Sequence, residues 1–273
     1  MARPLNLFLF IGVALSACTG KGDAEGDIDV TDAVESTGWG DNVSITQRED
    51  GWEYVSDGYP NHALLDEYIL PDDGSACVPH PTAECSHIEP LSTAVLAVPI
   101  DVTITSTPEL SDDTTSCIFG AMGVMISGVN VYNPYEGDGV TVAMNANFTL
   151  TDDDGVEVPF MDDCNGHPSP HPVDAYHYHG LPGCVTAQVD EEDGPSHIIG
   201  FAYDGFPVYG DRDIDGVQID PTTLDECNGL ESPTPEFPDG IYHYVLLEVM
   251  TEQSTIRCLH GKLDAPLLDY QYL

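Results

Sequence analysis

Tyr176-His177-Tyr178-His179 decides the reading of this chain, because a weaker copy, Tyr242-His243-Tyr244-Val245, returns later. Each copy follows a Cys-Asn-Gly triplet: Cys164 stands twelve residues before Tyr176, and Cys227 fifteen before Tyr242. Upstream, Gly123 to Tyr132 (GVMISGVNVY) aligns without a gap on Gly200 to Tyr209 (GFAYDGFPVY). Two units in the same order therefore run from about 117 to 190 and from about 195 to 262. One unit alone buries too little apolar surface to be stable, so the two are expected to pack about a pseudo-two-fold axis.

The segments outside the copies follow the same logic. Val43-Ser44-Ile45, Trp52 to Val55 and Val95 to Thr105 alternate apolar and polar residues and read as strands. The 26 Gly and 21 Pro are spread through the chain and leave no room for a long amphipathic helix. Short helices are expected at Leu64 to Tyr68 and Asp220 to Cys227. The fold class is mostly β, a duplicated β-sandwich or distorted barrel with long loops and disulfides. Ser127-Gly128 and Asp204-Gly205 are expected to make tight primed hairpin turns.

Residues 1–18 read as a lipoprotein signal: Arg3, an apolar run from Leu5 to Leu15, then Leu15-Ser16-Ala17-Cys18, with lipid attached at Cys18. An ordinary signal peptide is the alternative. Both export the protein, and the lipidated form places it in the cell envelope, facing the periplasm or the cell surface. Residues 19–40 read as an acidic disordered tether, and 41–273 as the folded domain. Export makes disulfides the expected state of the cysteines. The repeat proposes Cys164 with Cys184 and Cys227 with Cys258. Cys77 and Cys85 can close a local loop, which leaves Cys117 as a free thiol or as the sign of a different pairing. Cys77 and Cys85 with His80 and His87 would otherwise resemble a zinc set.

The formal charge is −42, from 48 Asp and Glu against six Lys and Arg. Nucleic acid and anionic lipid surfaces need a cationic footprint, so both are excluded as partners. What remains is a solvated surface suited to salt, a cation-binding surface, or both.

On a strand, His177 and His179 share one face while Tyr176 and Tyr178 share the other. Two imidazoles two residues apart on a rigid strand form a bidentate claw for a transition metal, though the spacing also arises when histidines only hydrogen-bond loops. A site at the axis between the units would combine His177, His179 and His243, with His167 or Asp204 as a further ligand. Asp211, Asp213 and Asp215 before Gly216 resemble the first half of a calcium loop. The twelfth position, Thr222, rules out an EF-hand, and Asp220 would have to close a different loop. A solvated acidic turn is the alternative.

Taken together, these segments resemble the YHYH domain family of exported bacterial proteins. The resemblance is carried by Tyr54 to His62 (YVSDGYPNH), Gly123 to Pro134, Cys164-Asn165-Gly166-His167 and Tyr176 to Pro182 (YHYHGLP). It continues through Gly200 to Gly210, Leu224 to Gly229 and Tyr242-His243-Tyr244, and covers most of residues 45 to 262. Family members often carry a second histidine in the later copy and one after its Cys-Asn-Gly; Val245 and Leu230 stand there. The resemblance adds His62 as a candidate ligand. The expected function is an exported lipoprotein that binds a transition metal, with calcium at the acidic loop. A metal-dependent hydrolase or oxidase and a metal-free structural or adhesive surface module are the alternatives.

Overall fold

The computed structural model describes residues 28–65, 95–115, 120–136, 139–146, 149–151, 157–159, 161–169 and 175–263. Cys18, Cys77, Cys85, Cys117, His80 and His87 lie outside the described residues, as does most of Leu64 to Tyr68. The first element described is helix α1 (Thr31–Ser36), followed by strands β1 (Val43–Gln47), β2 (Trp52–Ser56), β3 (Ile100–Ile104) and β4 (Leu110–Thr115). Next come β5 (Ala121–Met125), β6 (Asn130–Tyr132), β7 (Thr149–Thr151), β8 (Glu157–Pro159), β9 (Gly166–Pro168) and β10 (Tyr176–Tyr178). After a short helix α2 (Gly183–Thr186) follow β11 (Ile198–Ala202), β12 (Pro207–Tyr209), β13 (Gly229–Ser232), β14 (Ile241–Val245) and β15 (Leu259–Gly261). The fold is mostly β, open and sandwich-like. The segment Asp220 to Cys227 holds only a 3-10 turn, Pro221–Thr223.

The central sheet has eight strands in the order β13-β14-β12-β11-β5-β6-β10-β9. Outward from the β11/β5 junction, each direction gives the same series: a hairpin, a parallel Tyr-His-Tyr strand, then an antiparallel strand that starts at the glycine of Cys-Asn-Gly. At the junction, Gly200 pairs with Met125, Phe201 with Val124 and Ala202 with Gly123. The register is symmetric about the Val124/Phe201 pair. Glycine is required on both sides of it, since a Cβ on Gly123 would fall 2.4 Å from Phe201 O and one on Gly200 2.4 Å from Val124 O.

The two hairpin turns differ from the primed turns expected. Gly128 N–H donates to Met125 O and Gly205 N–H to Ala202 O, so each glycine is the last residue of its turn. Gly128 and Gly205 have φ of 96° and 88°, and Asn165 and Asn228 alone of the non-glycine residues described have positive φ. A primed turn of the Asn-Gly kind needs positive φ at both central residues; here Ile126, Ser127, Tyr203 and Asp204 have none, and glycine instead follows the turn as a bulge.

The three-stranded sheet β1-β2-β3 lies against the centre of the large one. The Tyr54 hydroxyl donates to Met125 O at 3.0 Å, Ser56 Oγ to Gly128 O at 2.7 Å, and Trp52 meets Phe201 edge-on at 5.2 Å. The tether was expected to extend to residue 40, but α1 is docked. Val30, Ala33, Val34 and, in part, Trp39 reach the core because the i, i+3, i+4 spacing turns the first three onto one helical face. Disulfides join Cys164 to Cys184 (Cα–Cα 5.5 Å) and Cys227 to Cys258 (Cα–Cα 4.6 Å).

Candidate metal centre

A local unit built the same way in both halves positions the Tyr-His-Tyr strands. Two residues before each cysteine is an aspartate. Asp162 Oδ1 accepts from Cys164 and Gly166 N–H, and Asp225 Oδ1 accepts from Cys227 and Gly229 N–H. The intervening Asn165 and Asn228 take left-handed φ of 58° and 68°, a region that asparagine tolerates better than most residues. The other carboxylate oxygen accepts from the first tyrosine of the strand, Tyr176 at 2.7 Å and Tyr242 at 2.8 Å. This turn reverses the chain so that β9 runs antiparallel to β10 with His167 directly opposite His177. Its end is held too, because His179 N–H donates to Asn165 O.

Three histidines thus meet on one face of the sheet. His167, His177 and His179 are buried, at 1%, 4% and 1% exposure. Every Nδ1–H of the three donates to a backbone carbonyl: His167 to Pro168 O at 2.8 Å, His177 to Ala175 O at 3.0 Å, His179 to Asn133 O at 2.6 Å. A carbonyl can only accept, so Nδ1 carries the proton in each neutral ring and Nε2 carries the lone pair. One ligand atom from each ring lies within 4.8 Å of the others, and His177 Nε2 is 3.0 Å from His179 Nε2. Burial, reinforced by the neighbouring imidazoles, holds His177 well below the ordinary histidine range; burial, then His167, lowers His179 to about 4. At neutral pH the pair is uncharged. Tyr132 stacks on His177 at 3.8 Å between ring centroids and fixes the ring plane. Glu136 enters the same space, its Oε1 3.5 Å from His167 Nε2 and 3.8 Å from His179 Nε2.

A family model described as YHYH protein matches residues 101–222 and 210–261. The chain belongs to the YHYH family. No curated protein and no solved structure matches it. In this YHYH domain the histidines of the defining strand lie together with the histidine that follows Cys-Asn-Gly.

The remaining sequence candidates stand elsewhere. His243 was expected to converge with His177 and His179 at the axis. Five strand steps separate β14 from β10, roughly 24 Å at about 4.8 Å per step, because the two-fold places the Tyr-His-Tyr strands far apart on either side of the junction. Its Nδ1–H donates to Ile241 O as that of His177 does to Ala175 O, but Leu230 lies opposite and Val245 follows. His62 lies on the tyrosine face, its Nδ1–H donating to Ala63 O and its Nε2 accepting from the Tyr178 hydroxyl at 2.7 Å. It stands 3.6 Å from Cys164 Sγ and outside the histidine cluster. Asp204 is fully buried beneath Tyr244, whose hydroxyl donates to it.

Asp211, Asp213 and Asp215 do not come together as ligands: among the described residues the donors that converge are His167, His177 and His179, and His62 with Cys164 and Cys184, whose sulfurs are bonded to each other and offer no thiolate. Asp213 Oδ1 instead accepts from Asp215 and Val217 N–H, and Asp211 Oδ2 accepts from the Gln218 amide. Alternation along a loop does not converge carboxylates when the loop closes its own turn with them. Sequence reasoning missed Glu136, Asp162 and Asp225. The signals were present: an acidic residue stands four positions after each aligned tyrosine, Glu136 after Tyr132 and Asp213 after Tyr209, and both triplets read Asp-x-Cys-Asn-Gly.

Proposed function

We propose that this YHYH protein is an exported envelope lipoprotein, built from a duplicated unit, that binds one transition-metal ion through His167, His177 and His179. The observation that carries the reading is the tautomer. Three buried imidazoles commit Nδ1–H to backbone carbonyls and turn Nε2 lone pairs into one small space, and a hydrogen bond from the far nitrogen is what orients a histidine and raises its basicity toward a metal. Two acceptors 3.0 Å apart repel each other unless a cation or a proton lies between them, and burial disfavours the proton. The overall charge of −42 raises the local concentration of cations and so assists loading. The palindromic order of the large sheet supports duplication, and its second half has lost the imidazoles at Leu230 and Val245.

The lipid anchor rests on Leu15-Ser16-Ala17-Cys18 alone. Elemental analysis of protein purified without chelator should find one equivalent of a transition metal, absent from a His177→Ala/His179→Ala variant of intact circular dichroism. Equal metal content in the two proteins, or none in either, would refute the site. In the same cells, full-length protein should partition with membranes and a Cys18→Ala form should not; a membrane-bound Cys18→Ala form would remove the anchor from the account.

A further inference from the structure

We infer that Glu136 is the fourth ligand of this centre and closes it, so that the protein holds its ion rather than presenting it to a substrate. The inference rests on the metal-binding reading above and adds the ligand that sets the coordination. Donors bound at about 2.0–2.1 Å to a tetrahedral ion lie roughly 3.3 Å apart. Three contacts of this cluster measure 3.0, 3.5 and 3.8 Å: His177 to His179, His167 to Glu136, and His179 to Glu136. These three edges are close to that size, and because the three imidazole donors lie within 4.8 Å of one another, movements of up to about 1.5 Å, within reach of ring rotation, draw in the longer edges.

The carboxylate is placed by its own hairpin. Tyr135 bridges to Val142, Glu136 N–H donates to Thr141 O, and Gly139 N–H donates back to Glu136 O. Tyr135 donates its hydroxyl to Glu252 Oε2 at 2.7 Å, which ties this hairpin to the other half of the molecule. The Glu136 side chain is 11% exposed, so it reaches the cluster from a covered position. Asp213 occupies the corresponding position in the second half and lines a small cavity with His243. That half keeps an acid and one imidazole, but Leu230 and Val245 deny it a full set.

Three neutral imidazoles and one carboxylate suit borderline divalent ions such as Zn²⁺ or Co²⁺ over thiolate-seeking Cu⁺ or all-oxygen Ca²⁺. Four protein donors leave a tetrahedral ion no open position.

The test loads wild type, Glu136→Gln and Glu136→Ala with Co²⁺ and records affinity, the visible spectrum and its response to azide, with folding read by circular dichroism. Wild type should show an intense tetrahedral band that azide leaves unchanged. Glu136→Ala should show a weaker, shifted band that azide alters, and an affinity loss of at least about 10- to 100-fold, the scale that outer-shell partners alone command. Glu136→Gln, which keeps the shape without the charge, should fall between them. Identical spectra, azide response and affinity in all three would overturn the role of Glu136 while leaving the histidines in place. Azide binding to wild type would overturn the closed site. Absence of stoichiometric Co²⁺ from wild type, or its retention by His177→Ala/His179→Ala, would overturn the metal-binding reading and the fourth ligand with it.

Discussion

Single residues in this domain are set by what their buried polar atoms can reach. The histidines show this through their tautomers, and Asp204 shows it through its proton. Burial, the largest effect, raises the Asp204 carboxyl from an ordinary 3.8 to about 6, although bonds from the Tyr244 hydroxyl and from Gly261 and Phe206 N–H favour the charged form. Because the folded state binds this proton more tightly than the unfolded one, Asp204 contributes stability that is fully present below about pH 3.8 and lost as pH rises through about 6. The size is on the order of 3 kcal/mol. His179 acts in the opposite sense: its folded pKa is lowered to about 4, so stability is lost as pH falls below the ordinary 6.5. Asp204→Asn should therefore be more acid-labile than wild type, its relative stability falling by on the order of 3 kcal/mol between pH 7 and pH 4 in urea titrations. Parallel pH profiles would show that Asp204 is not the proton-linked group.

At the scale of elements, the recurring object is Asp-x-Cys-Asn-Gly followed by Tyr-His-Tyr. Aspartate caps the turn, asparagine supplies the left-handed corner, and glycine leaves room for the tyrosine ring that returns to the aspartate. A Cβ on Gly166 would meet Tyr176 at 2.3 Å, and one on Gly229 would meet the Tyr242 hydroxyl at 2.0 Å. Gly229→Ala should lose roughly 3 kcal/mol or more in chemical denaturation, since ring and turn cannot both keep their places. Gly183→Ala is the internal comparison. It sits in α2 with nothing within 4 Å of the added methyl, and alanine there should change stability by no more than about 1 kcal/mol, in the stabilising direction. Equal losses at the two sites would mean that the close approach to tyrosine is not what demands glycine. Much of this unit was legible in the sequence, because the turn residues and the strand alternation are local. The aspartate passed unnoticed because, although it recurs two residues before each cysteine, one more carboxylate stands out little in a chain so rich in acid.

On the scale of the whole molecule, two opposing terms meet: an eight-stranded sheet braced by two disulfides, and a net charge of −42 on the chain. Loops of 20 and 31 residues closed by disulfide contribute about 3 and 4 kcal/mol by chain entropy, a large share of the 5–15 kcal/mol typical of a domain. Self-repulsion works against this and is screened by salt, the Debye length falling to about 3 Å at 1 M. The thermal midpoint should rise by several degrees between about 0.05 and 1 M NaCl, with most of the gain below about 0.3 M. A flat response in calorimetry would mean that the acidic groups are too well separated or locally paired to oppose folding.

By itself, the sequence determined the β class, the two copies of the turn and strand, and the shared face of His177 and His179, and it proposed the Cys164–Cys184 and Cys227–Cys258 pairings that the structure contains. All of these follow from local geometry: alternation on strands, turn chemistry, and cysteines that recur at matched places. Tertiary structure alone decided which residues meet. It sent His243 to the far side of the sheet, because the two-fold runs through the β5/β11 junction, well away from both Tyr-His-Tyr strands. It docked α1 on the core, brought His167 across from His177, and set Glu136 beside His167 and His179 from a hairpin far away in sequence. A strand fixes the direction of its own side chains; which other strand or loop comes to face them is set by the packing of the whole sheet.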